Sequence, residues 1–438
     1  MGELGTSIVM SIKNFFASQT KRRLFENFVF LSFLQVANYI FPLITLPYLV
    51  RVLGLEKFGL IAFAQAFISY FQILTDYGFN LSATREISIH RENKEKVSEI
   101  FSAVMIIKFF LLLVSLIIMT AIVFSFNKFR QEKLIYFLTF GMVLGQTLFP
   151  IWLFQGLEKM KYITFLNILA KLIFTLAIFI LIKNTSDYIY APLLNSLGYI
   201  IAGLAALWII IKDFDVKFNI PIFEKLNFYL KDGWIFFKTN AFISAYRGTN
   251  VFILGLITNN TITGYYSIAE TILKGVQTIQ SPLGQALYPF FCSKYVKDEA
   301  NFKTYHFKYL KLIISIYIIL ALLLILFSGF ITKIITGFNI YQISLNIKVL
   351  SAVVFIGGMN YYFGILGLIP LKLEENFVKY VFIAGFSNIF LCTVLSYLLK
   401  DLGACVSLVC CELTLLFLII NKIKIKYFNE NSKINFAR

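Results

Sequence analysis

Long apolar runs separated by short polar breaks follow one another along almost the whole chain. Each run holds about 20 to 30 residues, which is enough for a helix to cross a bilayer, whereas a membrane β-strand would show about ten residues of alternating polarity. The pattern predicts an all-α polytopic membrane protein with about twelve transmembrane helices. The predicted spans are residues 27–50, 58–83, 97–126, 134–156, 162–182, 188–211, 233–257, 262–290, 312–332, 345–370, 377–399 and 402–421.

The longest polar break, residues 212–232, lies midway along the chain. We expect it to be a cytoplasmic linker between an N-terminal lobe, residues 1–211, and a C-terminal lobe with a basic tail, residues 233–438. Each lobe then has six spans and returns to its starting side, so the two lobes are parallel repeats. Such an arrangement is typical of transporters and predicts a central cavity between the lobes.

A faint internal repeat supports this division. Leu53-Gly54 and Gly59 in the first hairpin parallel Leu254-Gly255 and Gly264 in the fourth. Leucine and glycine are common in membrane helices, so the residues alone are weak evidence. The match supports a repeat because it falls at the same hairpin of each half.

Composition confirms that the chain is too apolar for a soluble domain. Hydrophobic residues make up 59% and charged residues 14%, and the mean hydropathy is +0.78. The formal net charge of +17 would suggest a nucleic-acid partner in a soluble protein. In a membrane protein, Lys and Arg instead mark cytoplasmic loops. Placing both termini in the cytoplasm puts most of the basic residues on that side, so we expect no nucleic-acid partner.

Five basic residues fall inside predicted spans. Lys238 is close enough to the inner end of its span to extend into the interface. The other four lie near the bilayer midplane, where ionisable groups are costly and usually functional. They are Lys108, Lys171, Arg247 and Lys274.

Three acidic residues also lie within spans, Glu270 and Glu412 at central depth and Asp76 toward the inner end. Glu270 and Lys274 are four residues apart in the order that favours an ion pair on a helix, so a purely structural pair is one reading. Such a pair does not explain Arg247, which faces the same hairpin, or Lys108 and Lys171, which have no carboxylate partner on their own helices. The balance near the midplane is basic, which predicts a wet cationic cavity and an anionic passenger.

Prolines interrupt two of the predicted spans. Because proline removes a backbone donor and can kink a helix, we predict gating positions at Pro42, Pro47 and Pro282.

Residues for metal or nucleotide chemistry are not arranged in a recognisable motif. His90 and His306 lie in predicted inner loops without the spacing of a zinc site, and the five cysteines form no CxxC pair. No glycine-rich phosphate loop is found either. We therefore expect no metal or nucleotide cofactor, and a coupling ion, H⁺ or Na⁺, as the source of energy.

The first hairpin resembles that of bacterial polysaccharide flippases of the Wzx type, in the multidrug/oligosaccharidyl-lipid/polysaccharide exporter superfamily. The residues that carry the resemblance are Pro42, Pro47-Tyr48, Arg51, Leu53-Gly54, Phe58-Gly59, Asp76-Tyr77-Gly78-Phe79-Asn80 and Ala83-Thr84-Arg85-Glu86. Gly264 to Glu270 are similar to the second-lobe counterpart, although less distinctive.

The resemblance implies transfer of an undecaprenyl-diphosphate-linked oligosaccharide, an O-antigen type repeat unit for lipopolysaccharide, across the bacterial inner membrane. Its partners would be membrane lipid, a glycan polymerase and a chain-length regulator. By motif, Arg51 and Arg85 match charged family positions. Lys108, Lys171, Arg247 and Lys274 are assigned to the passenger by depth and charge alone, and the coupling candidates are Glu270, then Asp76 and Glu412.

Two alternatives remain at this point. A multidrug or organic-cation exporter of the same superfamily would favour an acidic cavity, which the basic midplane does not predict. A membrane polymerase or ligase of lipid-linked glycans, which would make the protein an enzyme, should carry a large outer loop, and the predicted outer breaks are short.

Overall fold

The computed structural model describes the backbone of residues 19–297 and 299–436, and the side chains of residues 26–27, 29–241, 244, 248–285, 287–295 and 302–426. Within these ranges every regular element is helical, which confirms the predicted all-α class. The α-helices are α1 (Gln19–Asp76), α2 (Phe79–His90), α3 (Lys94–Ser125), α4 (Asn127–Arg130), α5 (Lys133–Leu148), α6 (Ile151–Gly156), α7 (Met160–Leu181), α8 (Tyr190–Asp213), α9 (Phe223–Ile257), α10 (Asn260–Gln277), α11 (Gln280–Lys297), α12 (Glu299–Thr336), α13 (Tyr341–Asn360) and α14 (Glu374–Phe436). A 3₁₀ helix at Thr185–Ile189 precedes α8, and a π-helix at Tyr361–Leu368 follows α13.

Eight helical stretches among the described residues are long and apolar enough to cross a membrane, so the chain is a multi-pass membrane protein. Three of these stretches, Val29–His90, Lys133–Gly156 and Glu374–Lys426, contain an internal backbone break. Helices α9, α10 and α11 are not among the eight, and the apolar part of α9 is the short piece Gly248–Ile257. The number of twelve spans therefore stays a prediction.

Helix α1 breaks at Gly54, whose φ of 76° and ψ of 168° are not helical. Glycine reaches a positive φ without the steric penalty of a Cβ atom. Pro42 and Pro47 lie in the helical part of α1, so its irregular point comes at the glycine. The break separates the predicted spans 27–50 and 58–83.

Helix α14 changes direction in the same way at Lys400, with φ 55° and ψ −129°. The gap between predicted spans 377–399 and 402–421 coincides with this residue. A Cβ atom at Gly403 would overlap the carbonyl oxygen of Leu395, so the turn needs a glycine there for the chain to pack this closely.

Three predicted spans are not continuous helices. Span 58–83 ends at Asp76 because Tyr77 and Gly78 both adopt positive φ before α2 begins. Span 134–156 is divided between α5 and α6 at Pro150, which cannot donate a helical hydrogen bond.

The third, span 262–290, is divided between α10 and α11. The turn at Thr278 ends α10, and its hydroxyl donates to the Gly275 carbonyl over 2.6 Å. Pro282 follows in the first turn of α11, where no intrahelical donor is needed, so it marks a helix start.

The chain folds into two compact units. The first unit contains residues 19–42, Ile68–Leu181 and Ile189–Lys238. Its core lies around Trp152, which is fully buried and packs on Phe101.

The second unit contains Leu43–Phe67, Ile182–Tyr188 and the described residues from Thr239 onward. Its core includes Tyr266 on α10 and Tyr317 on α12, both fully buried. The predicted linker, residues 212–232, packs into the first unit through buried Val216 and Tyr229. A boundary between two lobes at this linker stays a prediction.

Candidate functional site

The charged residues that the sequence predicts within the spans lie in separate polar groups inside the two units. Arg247 belongs to α9, but its side chain lies outside the described residues. The other predicted residues have defined neighbours.

Lys108 on α3 is buried, with 1% of its surface exposed, and its Nζ lies 3.9 Å from Oδ1 of Asp76 at the end of α1. Sequence analysis found no carboxylate for Lys108 because its own helix carries none at that depth. The partner comes from another helix of the first unit. The two predicted site residues are thus brought together as an ion pair.

Lys171 on α7 has an amide partner. Its Nζ donates a hydrogen bond to Oδ1 of Asn38 on α1 over 2.6 Å. A small pocket beside it, about 20 Å³, is large enough for one water molecule. The lining residues include Asn167, Asn195 and Tyr199. Because the Asn38 amide is neutral, this hydrogen bond does not neutralise the ammonium group of Lys171.

Glu270 and Lys274 on α10 form the ion pair that the sequence spacing suggested, with Nζ 2.7 Å from Oε2. The Glu270 side chain is 8% exposed and that of Lys274 is 50% exposed. The carboxylate is therefore enclosed, while the ammonium group reaches an accessible surface of the second unit.

Glu412 on α14 is enclosed by amides. Asn360 donates through Nδ2 to Oε2 of Glu412 over 2.5 Å and to its backbone carbonyl over 2.9 Å. A Cβ atom at Gly357 would lie 3.0 Å from Nε2 of Gln277, which shows how closely this group is packed. The hydrogen bond to Oε2 stabilises the charged form of the carboxylate, and the bond to the backbone carbonyl holds the Asn360 amide in place.

Two asparagines form a buried amide cluster in the second unit. Asn250 is buried and donates to the Ala404 carbonyl over 3.1 Å. Asn388 on α14 donates to Oδ1 of Asn250 over 2.7 Å. The sequence shows Asn388 as a polar residue in an apolar run. Its importance is not evident there, because its partner Asn250 lies 138 residues away in the chain.

Arg51 lies three residues before the Gly54 break in α1, and its side chain binds the C-terminal end of α12. Its Nε donates to the Ile335 carbonyl over 3.3 Å, and a second guanidinium nitrogen donates to the Ile334 carbonyl. These carbonyls belong to the last turn of the helix, which has no intrahelical donors. The side chain therefore caps α12.

Arg85 on α2 forms an ion pair with Asp232 on α9, at 2.7 Å, and another with Glu86 at 3.2 Å. Lys225 binds Glu99 over 3.3 Å in the same unit. The bond to this carboxylate raises the pKa of Lys225. These pairs connect the predicted linker region to the ends of α2 and α3.

Among the described residues, no group of three or more His, Cys, Asp and Glu side chains could hold a metal ion. The prediction of His306 in a loop was wrong, because it lies in α12, fully buried, with its ring stacked 4.5 Å from that of Tyr362. Its immediate surroundings are aromatic.

Comparison with known sequences gives the family. The sequence profile described as "Polysaccharide biosynthesis protein" matches residues 24–295. The chain belongs to this family. A protein named as an O-antigen transporter from Escherichia coli (strain K12) is 31% identical over 408 residues, covering 92% of this chain and 98% of that protein. Another relative so named, from Shigella dysenteriae, is 32% identical over 60% of this chain and 66% of its own length.

Comparison with solved structures identifies the fold of this chain. The lipid II flippase MurJ in an inward closed conformation superposes with a TM-score of 0.68 at 14% identity, covering 91% of this chain and 87% of its own. An inward-facing multidrug resistance transporter of the MATE family, in the MOP superfamily, gives a TM-score of 0.65 at 13% identity, with 91% and 96% coverage. At these identities the likeness establishes the fold alone.

Proposed function

We propose that this protein is a flippase that moves an undecaprenyl-diphosphate-linked oligosaccharide repeat unit from the inner to the outer leaflet of the bacterial inner membrane by alternating access. The observation that carries the proposal is family membership over most of the chain, with a relative named as an O-antigen transporter matched over 98% of its length. The relatives are named as transporters, and we infer that this chain catalyses no chemical reaction.

The charges within the membrane support an anionic passenger. A diphosphate carries about two negative charges, and charge-assisted hydrogen bonds to cations are the strong means of holding it. Lys171 is bound to an amide, and Lys274 exposes half of its side chain although it is paired with Glu270. With Arg247 at similar predicted depth, these cations are the proposed contacts of the diphosphate. The lipid tail stays in the bilayer throughout.

We further propose that an ion gradient, of H⁺ or Na⁺, drives the return of the empty protein, and that both termini lie in the cytoplasm. The product appears in the outer leaflet, where a glycan polymerase and its chain-length regulator would use it. Physical association with them is part of the proposal.

The test uses the purified full chain in liposomes that contain a radiolabelled undecaprenyl-diphosphate oligosaccharide. Exposure of the glycan to an impermeant glycosidase should be much faster than in protein-free liposomes. Lys171→Met should slow the transfer several-fold, whereas Lys238→Met, which removes a cation near the predicted inner interface, should leave it near wild type. A wild-type protein that transfers no glycan but exports an organic cation would favour the multidrug alternative.

A further inference from the structure

Three carboxylates within the predicted spans could bind a coupling ion, and their surroundings differ. Glu270 has the ammonium group of Lys274 at 2.7 Å. Glu412 accepts an amide hydrogen bond of 2.5 Å from Asn360. For Asp76, the charged neighbour Lys108 is 3.9 Å away, and Oδ1, the atom that faces it, has no hydrogen-bond partner among the described residues.

Hydrogen bonds to a carboxylate stabilise its charged form, and their absence favours the protonated form. Burial acts in the same direction, because a charge loses solvation when it leaves water. The Asp76 side chain is 13% exposed and that of Lys108 is 2% exposed. Of the three carboxylates, Asp76 therefore combines enclosure with the weakest hydrogen bonding at the atom that faces its cation.

Among the described residues, the charges that act on Asp76 and Lys108 come from within the pair. Lys108 on α3 is the charge that acts on Asp76, and Asp76 is the charge that acts on Lys108. The neighbouring hydroxyl of Thr75 donates to the backbone carbonyls of Phe71 and Gln72, within its own helix. Arg85 and Glu86 on α2 are bound to each other, and Arg85 also binds Asp232. A proton on Asp76 therefore changes the charge of the pair from zero to +1.

The adjacent ammonium group also discriminates between ions. A sodium ion at Asp76 would have to lie within a few ångströms of Lys108, where two positive charges repel strongly in a medium of low dielectric. A proton forms a covalent O–H bond with the carboxylate and leaves the carboxyl group neutral. The geometry favours proton uptake over sodium binding.

Asp76 lies next to the joint between α1 and α2, which packs against α9. It is the last residue of α1, and Tyr77 and Gly78 after it have φ of 48° and 77°. The Tyr77 ring stacks on that of Phe237 in α9 at 5.0 Å. A Cβ atom at Gly78 would lie 2.6 Å from Cβ of Phe236, so this joint is held tightly against α9.

We propose that Asp76 and Lys108 form the proton-exchange site that couples transport to a pH gradient. The inference rests on the proposed function for its transport step. In the resting pair Asp76 is an anion beside the Lys108 ammonium. Uptake of one proton forms the carboxyl O–H bond, and its release restores the anion. Lys108 is then the counter-ion of the coupling site instead of a ligand of the passenger.

Proton binding is tested first without any passenger. Infrared difference spectra of the purified protein in lipid, titrated with acid, should contain a protonated carboxyl band that disappears in Asp76→Asn and persists in Glu270→Gln. Because Asp76→Asn leaves a buried ammonium group, Asp76→Asn/Lys108→Met is measured beside it. A band that survives in the double variant, or that disappears in Glu270→Gln, would overturn the proposal.

Coupling is then measured in the liposome assay with an imposed difference of one pH unit. Such a gradient shifts the transfer equilibrium about tenfold for each coupled proton. We expect wild type and Glu270→Gln to show this shift, and Asp76→Asn/Lys108→Met to transfer glycan equally with and without the gradient. A sodium gradient should act on none of them. The two proposals can fail separately. If the infrared band behaves as expected but the wild-type protein transfers no glycan, the proposed function is contradicted and the proton site is retained.

Discussion

Arg51 is a residue of the family motif, and the structure gives it a structural role. Resemblance to flippases identified it as a charged motif position, and the structure places its guanidinium on the final carbonyls of α12. A guanidinium carries several donors in a fixed plane, so one side chain can bind two neighbouring carbonyls. The cap holds α12 near the Gly54 break.

Removal of this cap should destabilise the second unit. We expect Arg51→Met to lower the free energy of unfolding by about 1 to 2 kcal/mol, the size of a charged hydrogen bond that is partly exposed to solvent. Arg51→Lys should retain part of it. The measurement is thermal unfolding in detergent. Arg130→Met, which removes another exposed arginine, is the control, and an equal decrease in both variants would argue against a capping role.

Arg247 is the residue for which the sequence makes the sharpest functional prediction, because it is a cation at predicted bilayer depth in a span, residues 233–257, that carries no carboxylate. We expect Arg247→Ala to nearly abolish glycan transfer and Arg247→Lys to retain part of it, since charge matters more than the planar shape if the diphosphate is loosely held. Transfer rates at matched protein levels decide this. Full activity in both variants would remove Arg247 from the site.

Helix packing gives physical meaning to the weak internal repeat. Gly59 and Gly264, which the repeat places at equivalent positions, lie on two helical segments of the second unit that pack closely. A Cβ atom at Gly59 would overlap the Asn260 carbonyl oxygen, and one at Gly264 would lie 2.6 Å from that of Leu55. Small residues permit such close backbone approach between membrane helices.

Gly59→Ala should therefore force these two segments apart. We expect a loss of roughly 1 to 3 kcal/mol in the free energy of unfolding, typical of overpacking. The matched control is Gly248→Ala, because a Cβ atom there meets nothing within 4 Å and alanine favours the helix. Thermal unfolding of both variants in the same lipid checks the difference, and a Gly59→Ala protein as stable as Gly248→Ala would contradict the close packing.

The ion pair between Arg85 on α2 and Asp232 on α9 connects two helices of the first unit. A double-mutant cycle with Arg85→Gln and Asp232→Asn should give a coupling energy of about 1 kcal/mol, because the pair is partly exposed and screened by salt. Unfolding of the single and double variants measures it. Additive effects of the two changes would show that the pair contributes no net stability.

At the scale of the whole molecule, membrane orientation follows from where the basic residues fall. The prediction places Asn93 and Lys225 in the cytoplasm and Asn184 and Asn259 outside. Reporter fusions at these four positions should read accordingly, because cytoplasmic loops retain Lys and Arg during insertion. An external signal at Lys225 would overturn the arrangement of two six-span lobes.

Hydropathy by itself determined the helical class, the membrane location and most helix positions. This follows because a helix in lipid must satisfy its own backbone hydrogen bonds, so each span is encoded by a local run of apolar residues. The short polar breaks between the first two spans and between the last two predicted the backbone breaks at Gly54 and Lys400 for the same reason. The residues of the first hairpin were also enough to identify the family.

Tertiary structure alone decided which groups meet. Asp76 and Lys108 come from different helices, as do Asn360 and Glu412, and nearly uniform apolarity leaves no stripe that shows which way a membrane helix faces. The helix interruptions at Tyr77 and Thr278 depend on local backbone geometry that the average hydropathy of a run does not encode. The sequence thus predicted which charges lie at membrane depth, and packing determined which of the described ones are paired.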